Sequence, residues 1–514
     1  MGSQRVAIVL AFLGLGSGFE ISTGYGQPPP DAAPVAQADG TEVLASGPIH
    51  EAYAEPVDTK PQPTSVVPKQ PPDSIQEIPP DQKPAGENVQ WIPGYWSWDI
   101  DRNDFIWVSG VWRVPPPDQQ WMPGYWNQVN GGWQWVPGFW NTGQQDQVQY
   151  LPPPPEALQA AASTPAPDPN SVFVPGTWVY VVRDSRYAWR PGYWVDYRPG
   201  WVWIPAHYYW TPVGYVFVDG HWDYELNRRG LMFAPVFFRD RIWLRPGWFY
   251  RPDYAVYPDY AMSCLFVCPG SYSYYFGDYY AAAYAKGGFV PWLDFRLGRV
   301  GYDPLFAYYR WAHRDNPRWI ADLRTVYAGR LKGTLPRPPR TILEQTTLIR
   351  NLRAKNANVA LIENMTAVAP LSKIGQKFVR LETVSREEQA RDRVFARQII
   401  DASRERNRVA VQLIKTGKAP LRVTDRPQFA RVQLPKAEVS VHINEGREIH
   451  GGAVKIEERK PGTFTPDIKI QPRTELKLQP KLEVHRPLPP PRPDIKVQPR
   501  HEEKPEPKKP GEHK

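Results

Sequence analysis

The chain has 514 residues, with 60 prolines, 22 tryptophans, 2 cysteines and a formal net charge of +9. Proline stands at roughly twice its usual share of about 5%, yet proline plus glycine stays below the roughly 25–30% of a wholly low-complexity chain, so neither one uniform globule nor full disorder fits. Two cysteines exclude a disulfide-rich scaffold and a cysteine-based zinc cluster, and so mild a charge excess gives no reason to expect a nucleic-acid partner.

In chain order, Arg5 precedes an apolar run from Val6 to Leu15 and then small residues. The run is shorter than the roughly 20 residues a membrane span needs and suits a secretory leader. Residues 1–26 are therefore expected to be a signal peptide, cleaved after Gly26. No cysteine stands near that point, so export with neither a lipid nor a transmembrane anchor is expected, to periplasm, cell surface or medium. Residues 27–86 are proline-rich without apolar periodicity and are expected to be a disordered linker. The same reading applies to 141–170.

Between and after these linkers runs a hexad, aromatic-x-x-Gly-x-Trp. It recurs in 87–140 as WIPGYW (from Trp91), WVSGVW (from Trp107), WMPGYW (from Trp121) and WVPGFW (from Trp135). It returns in 171–250 as FVPGTW (from Phe173), WRPGYW (from Trp189), WIPAHY (from Trp203) and FVDGHW (from Phe217), with a looser variant over Trp243–Trp248. Hexad starts are spaced 16, 14 and 14 residues in both blocks, at an offset of 82; a four-unit block has been duplicated. Aromatic and β-branched content with intervening turn signals predicts strands in an antiparallel meander. Proline cannot donate to a ladder, so a bulge at each Pro-Gly is preferred over a type II turn that would face the flanking tryptophans. Aromatics fall on both faces of such strands. Either they pair across the sheet, or Trp96, Trp112, Trp126, Trp140, Trp178, Trp194 and Trp222 form a platform for a glycan or another polymer.

These hexads resemble the YXWGXW (WXXGXW) repeats of bacterial exported proteins over about residues 90–250. The resemblance implies secretion and a structural or interaction role, and supplies no catalytic residues. Ala206-His207-Tyr208 departs from the Gly-x-Trp pattern, and Phe opens two units.

Residues 251–320 are tyrosine-rich and read as an aromatic extension of the repeats. Cys264 and Cys268 in CLFVC leave open a local disulfide or two free thiols. Over 321–417 the pattern turns helical. Thr341…Glu344 and Ser385…Glu388 match the capping box, and the second helix should stop near Lys415, before Gly417 and Pro420. These helices are expected to pair with each other or with a second copy, with their arginines on a solvated face. The tail 418–514 is basic and proline-rich, with PDIKIQPR (466–473) returning as PDIKVQPR (493–500); it suits a spacer or an adhesive for anionic polymers.

The chain carries few signals of chemistry. No serine-hydrolase, zinc-protease or phosphate-loop motif is present. Asp99–Asp104 lacks the glycine and distal acid of a calcium loop, and His207 with His221 lacks a third ligand. The expectation is a mixed, multi-region chain: an all-β repeat domain, a C-terminal α-helical segment, and disordered proline-rich linkers and tail. It would be an exported, non-catalytic envelope protein without cofactor or metal, whose partners are envelope polysaccharide or other envelope proteins; the remaining alternative is an enzyme whose site no sequence motif marks.

Overall fold

The hexads pair two by two, each pair closing one long hairpin. The computed structural model describes residues 40–58, 61–142, 147–158, 162, 164–295, 302–356, 362, 365–377 and 379–435, all within a unit that ends at His442. The expected leader and the repeated tail motif lie outside these residues.

In the first hairpin, Gln90–Ile92 and Tyr95–Asp99 run out, and Asp104–Val108 and Val111–Arg113 return. Trp91 faces Trp112 and Trp96 faces Trp107. The turn is an Asx turn: the Asp99 carboxylate accepts from the amides of Asp101 and Arg102, which accounts for the acidic cluster there without a metal. The second hairpin joins Gln119–Met122 and Tyr125–Val129 to Gly132–Val136 and Phe139–Thr142. The third joins Ser171–Val174 and Thr177–Val181 to Arg186–Arg190 and Tyr193–Asp196. The fourth joins Trp201–Ile204 and His207–Thr211 to Gly214–Val218 and His221–Tyr224. Cross-strand ring pairs recur at every level; Trp91–Trp112, Trp121–Trp140 and Trp178–Trp189 meet edge-on with centroids 5.1–5.3 Å apart. Such contacts contribute about 0.5–1.5 kcal/mol each beyond area burial.

Neither the bulge nor the type II turn is present at Pro-Gly. Pairing stops at Ile92–Val111 and resumes at Tyr95–Val108, so two residues on one arm face two on the other. The same two-against-two gap separates Met122–Phe139 from Tyr125–Val136 and Val174–Tyr193 from Thr177–Arg190. A bulge sets two residues against one, and none of the repeat glycines Gly94, Gly110, Gly124, Gly138, Gly176, Gly192 or Gly220 has the positive φ of a type II turn. Both arms break together because each hexad places its non-pairing dipeptide opposite its partner's.

Instead of one continuous meander there are four antiparallel hairpins with partners recruited from elsewhere. Gly230–Met232 extends the outer strands of the first hairpin, Val236–Phe238 extends its inner strands, and Val66–Val67 lies beside Gly132–Val136. The looser variant near Trp243 forms a single 3-10 turn, Ile242–Leu244. The tyrosine-rich stretch folds into a small sheet, with Leu265–Cys268 between Ser273–Phe276 and Val290–Pro291, and into short helices. Its buried rings, among them Tyr274, Phe276 and Trp292, join the main core.

The linker expectation fails for residues 40–58 and 61–86. Thr41–Val43 pairs with Val236–Phe238, Gly47–Pro48 with the strand Ser273–Phe276, and Gln82–Pro84 with Leu381–Thr383. Ile49, Ala52, Tyr53 and Ile75 are buried. Proline-rich chain orders here because its carbonyls accept from sheet amides and indoles, partners that composition does not reveal. Likewise Gln147–Tyr150, inside the second expected linker, pairs with Gln428–Arg431, inside the expected tail.

Both expected N-caps are in place, though only the second is a full capping box: at the first, the Glu344 carboxylate accepts from the Arg340 amide. Thr341 accepts from the Glu344 amide, and Ser385 with Glu388 forms the reciprocal pair that opens the helix Arg386–Lys415. Gly417, at φ +66, lies just beyond its end. This helix lies on strands of the first two hairpins instead of pairing with another helix. Its buried face holds Ala396, Ile399, Ala402, Ala410 and also Arg406, so not all its arginines are solvated.

Candidate functional site

Breaking both arms of a hairpin at one level strands the backbone groups between them, and a buried polar group without a partner costs about 1–3 kcal/mol. In the first hairpin a carboxylate from the strap 71–82 answers this need. Glu77 Oε2 accepts from the Gly94 amide at 2.8 Å, and Oε1 accepts from the Gly110 amide at 2.9 Å and the Trp107 indole at 3.1 Å. The strap is pinned on either side, since Trp96 Nε1 donates to the Asp73 carbonyl and Trp112 Nε1 to that of Gln82, both at 2.9 Å. Glycine is required by close approach: a Cβ on Gly110 would lie 2.5 Å from Trp91 Cζ2 and 2.9 Å from Glu77 Oε2.

The second hairpin repeats the device with Glu51 from the segment 49–55. Its carboxylate accepts from Trp135 Nε1 at 3.1 Å and from the Gly124 and Gly138 amides. The carbonyls of the same break are served by the long helix. Arg406 Nη1 donates to Pro123 and Pro137 at 2.9 and 2.8 Å, and its guanidinium lies over the rings of Tyr125 and Phe139.

Segment 49–55 is a hub. His50 Nδ1 accepts from the Ala52 amide, so Nε2 carries the proton it donates to the Pro93 carbonyl of the first hairpin. Ala52 O accepts from Arg113 at 2.8 Å and from Trp140 at 3.2 Å. Glu55 takes the hydroxyl of Tyr209 from the fourth hairpin. Beside the hub Asp223 is gripped by two arginines, with Arg113 Nη2 2.7 Å from both carboxylate oxygens and Arg229 Nη2 at 3.0 Å. The first and fourth hairpins are thereby tied through a buried ion triad.

Burial governs the electrostatics. It pushes Glu51 and Glu77 up to about 7 against the N–H donors around them. Glu55 lies well above the carboxylate range through burial and the nearby Glu51. Burial lowers His50 to about 4. Asp223 is buried as well, but its two arginines outweigh that penalty and hold it below the usual range. The carboxylates serve as acceptors to stranded amides, an arrangement that builds structure. Among the described residues no group of His, Cys, Asp and Glu could hold a metal ion; His207 and His221 instead place Nδ1 on the carbonyls of Pro205 and Asp219.

Of the seven candidate platform tryptophans, Trp96, Trp112 and Trp140 are buried in core clusters. Trp126, Trp178, Trp194 and Trp222 are half-buried. Cys264 and Cys268 are free, buried thiols. Cys268 ends the strand that starts at Leu265, and about 3.3 Å of rise per residue carries the two beyond the roughly 7 Å limit for a bridge.

The two-copy WXXGXW repeat model matches residues 90–113, 117–141, 172–195 and 198–223. Each match spans one hairpin, so residues 90–223 carry WXXGXW repeats, and the repeating unit is the broken hairpin. Neither the curated proteins nor the solved structures contain a match to the chain. Among the described residues no helix is long and apolar enough to cross a membrane.

Glu51, Glu77 and Arg406 did not emerge from sequence reasoning. A faint signal exists for the strap that carries Glu77: PPDSIQEIPP (71–80) resembles PPEALQAAAS (154–163), one residue out of step with the 82-residue offset of the hexads.

Proposed function

We propose that the chain is an exported, non-catalytic scaffold of the bacterial envelope, with its repeats as a rigid body that carries other interactions. One observation carries this reading: the repeat's indole N–H groups are spent on internal straps, as Trp96, Trp112, Trp140 and Trp178 donate to backbone carbonyls. Residues so engaged hold shape and do no chemistry. Fractionation of cells producing the full chain, beside a variant lacking residues 1–26, tests export. The full chain should leave the cytoplasm with its leader removed while the variant stays, and cytoplasmic retention of both overturns the reading.

A glycan-binding role is the second reading, favoured by the half-buried rings of Trp178, Trp194 and Trp222 in the later hairpins. It predicts that W178A and W222A lower retention on envelope polysaccharide at temperatures where circular dichroism shows each variant folded. Equal retention removes it.

A further inference from the structure

The third and fourth hairpins have the same two-against-two break as the first two but no carboxylate wedge among the described residues. The fourth has lost the need for one. Phe217 replaces the indole donor, Ala206 replaces one glycine, and the remaining amide, Gly220, is served at 2.8 Å by its neighbour Asp219. The third keeps every donor. Gly176, Gly192 and Trp189 stand where Gly94, Gly110 and Trp107 stand in the first hairpin, and their three N–H groups have no hydrogen-bond partner among the described residues. A Cβ on Gly176 would lie 2.9 Å from the Gly192 nitrogen, and one on Gly192 would lie 3.1 Å from that of Gly176. The two amides thus lie close together, whereas the corresponding Cβ positions of Gly110, Gly124 and Gly138 meet a carboxylate oxygen at 2.8–2.9 Å.

The strap anchors are retained too. Trp178 Nε1 donates to the Glu156 carbonyl at 3.0 Å, as Trp96 does to Asp73, and Trp194 Nε1 reaches Thr164 Oγ1 at 3.2 Å. In sequence, the strap alignment with its one-residue shift puts alanine (Ala160), and the hexad offset puts glutamine (Gln159), where the first strap has Glu77. The third hairpin is also the accessible one: Gly176, Gly192 and Trp189 are half-buried, whereas Gly94, Gly110, Gly124 and Gly138 are buried.

We propose that this break is a receptor for one carboxylate, supplied by a glutamate side chain of a partner peptide. The two glycine amides and the Trp189 indole take it as their counterparts take Glu77. Anions are favoured where several N–H groups converge. The wedge serving the first hairpin in cis is thus sought by the third in trans.

The test uses the full chain labelled with 15N-glycine and indole-15N-tryptophan, titrated with acetyl-Gln-Glu-Ile-amide, which reproduces residues 76–78. The Gly176, Gly192 and Trp189 N–H resonances should move downfield together. The glutamine version should require at least about tenfold more peptide, because an amide brings one acceptor oxygen and an unwanted donor. W189F, which mimics Phe217 and removes only the indole donor, should weaken binding about fivefold with an unchanged melting temperature, the loss of roughly one net hydrogen bond. Acetate and acetamide titrations separate the sources. A response to acetate that the peptide does not exceed overturns the peptide assignment, and still resonances, or equal responses to the Glu and Gln peptides, overturn the receptor.

Discussion

Replacing Glu77 removes the acceptor of three N–H groups at 2.8, 2.9 and 3.1 Å. At about 1–3 kcal/mol for each donor left unpaired, Glu77→Ala should destabilise the protein by at least about 3 kcal/mol. Glu77→Gln keeps one acceptor oxygen and should cost less, and it isolates the titration. The folded-state value near 7 lies above the ordinary 4.5. A group whose pKa rises on folding stabilises fully below its unfolded value and loses that contribution as pH climbs through the folded one. The advantage of wild type over E77Q should therefore shrink between pH 4.5 and 8. The rise from 4.5 to about 7 corresponds, at about 1.36 kcal/mol per pH unit, to a loss of roughly 3 kcal/mol; since the residue as a whole is half-buried, solvent screening reduces this to about 2 kcal/mol. Urea unfolding followed by tryptophan fluorescence at pH 5, 6, 7 and 8 reads both quantities. A pH-independent gap, or a cost below 1 kcal/mol for E77A, refutes the wedge. The comparison must be with E77Q, because His50 and His207, both lowered to about 4 by burial, lose stability as pH falls below their ordinary 6.5 and oppose the glutamates in the wild-type profile.

Close packing at the breaks makes glycine replaceable in one place only. Gly138→Ala would put a Cβ 2.4 Å from Trp121 Cζ2 and 2.8 Å from Glu51 Oε1 and should lower stability by about 3 kcal/mol or more, in the range of severe overpacking. Ala206→Gly, at a matching position of the fourth hairpin, should cost only about 0.5–1 kcal/mol, the ordinary backbone-entropy difference; similar losses in the two melting curves would contradict the account. Both cysteines are buried and burial raises both thiols. A thiol reagent should thus find none reactive in the folded protein and two after denaturation without reductant. Zero in denaturant would mean a bridge.

Much of the architecture follows from local pattern. Hexad spacing marks where the strands and turns fall, since aromatic content and turn residues act within one repeat, but it suggested one continuous meander where the chain forms four hairpins. Ser385 and Glu388 bond to each other's backbone, so the start of the long helix was equally legible. Helix partners were less so: amphipathicity marks a buried face without saying what covers it, and hairpins cover it here, with Arg406 inside.

The central wedge was invisible for a physical reason. Glu51 lies 84 residues from Trp135 and Glu77 lies 30 from Trp107, in segments whose composition signals flexible chain. Proline and scattered acids read as disorder when counted alone, because an isolated strap cannot offset its ordering entropy. Stranded amides from a distant hairpin supply the missing free energy, and that need exists only once both arms have broken at one level. The sequence by itself determined where each hairpin breaks, by placing proline and glycine. Which segment fills the break, a glutamate in two hairpins and a local aspartate in the fourth, is a long-range hydrogen-bonding outcome that no local periodicity encodes.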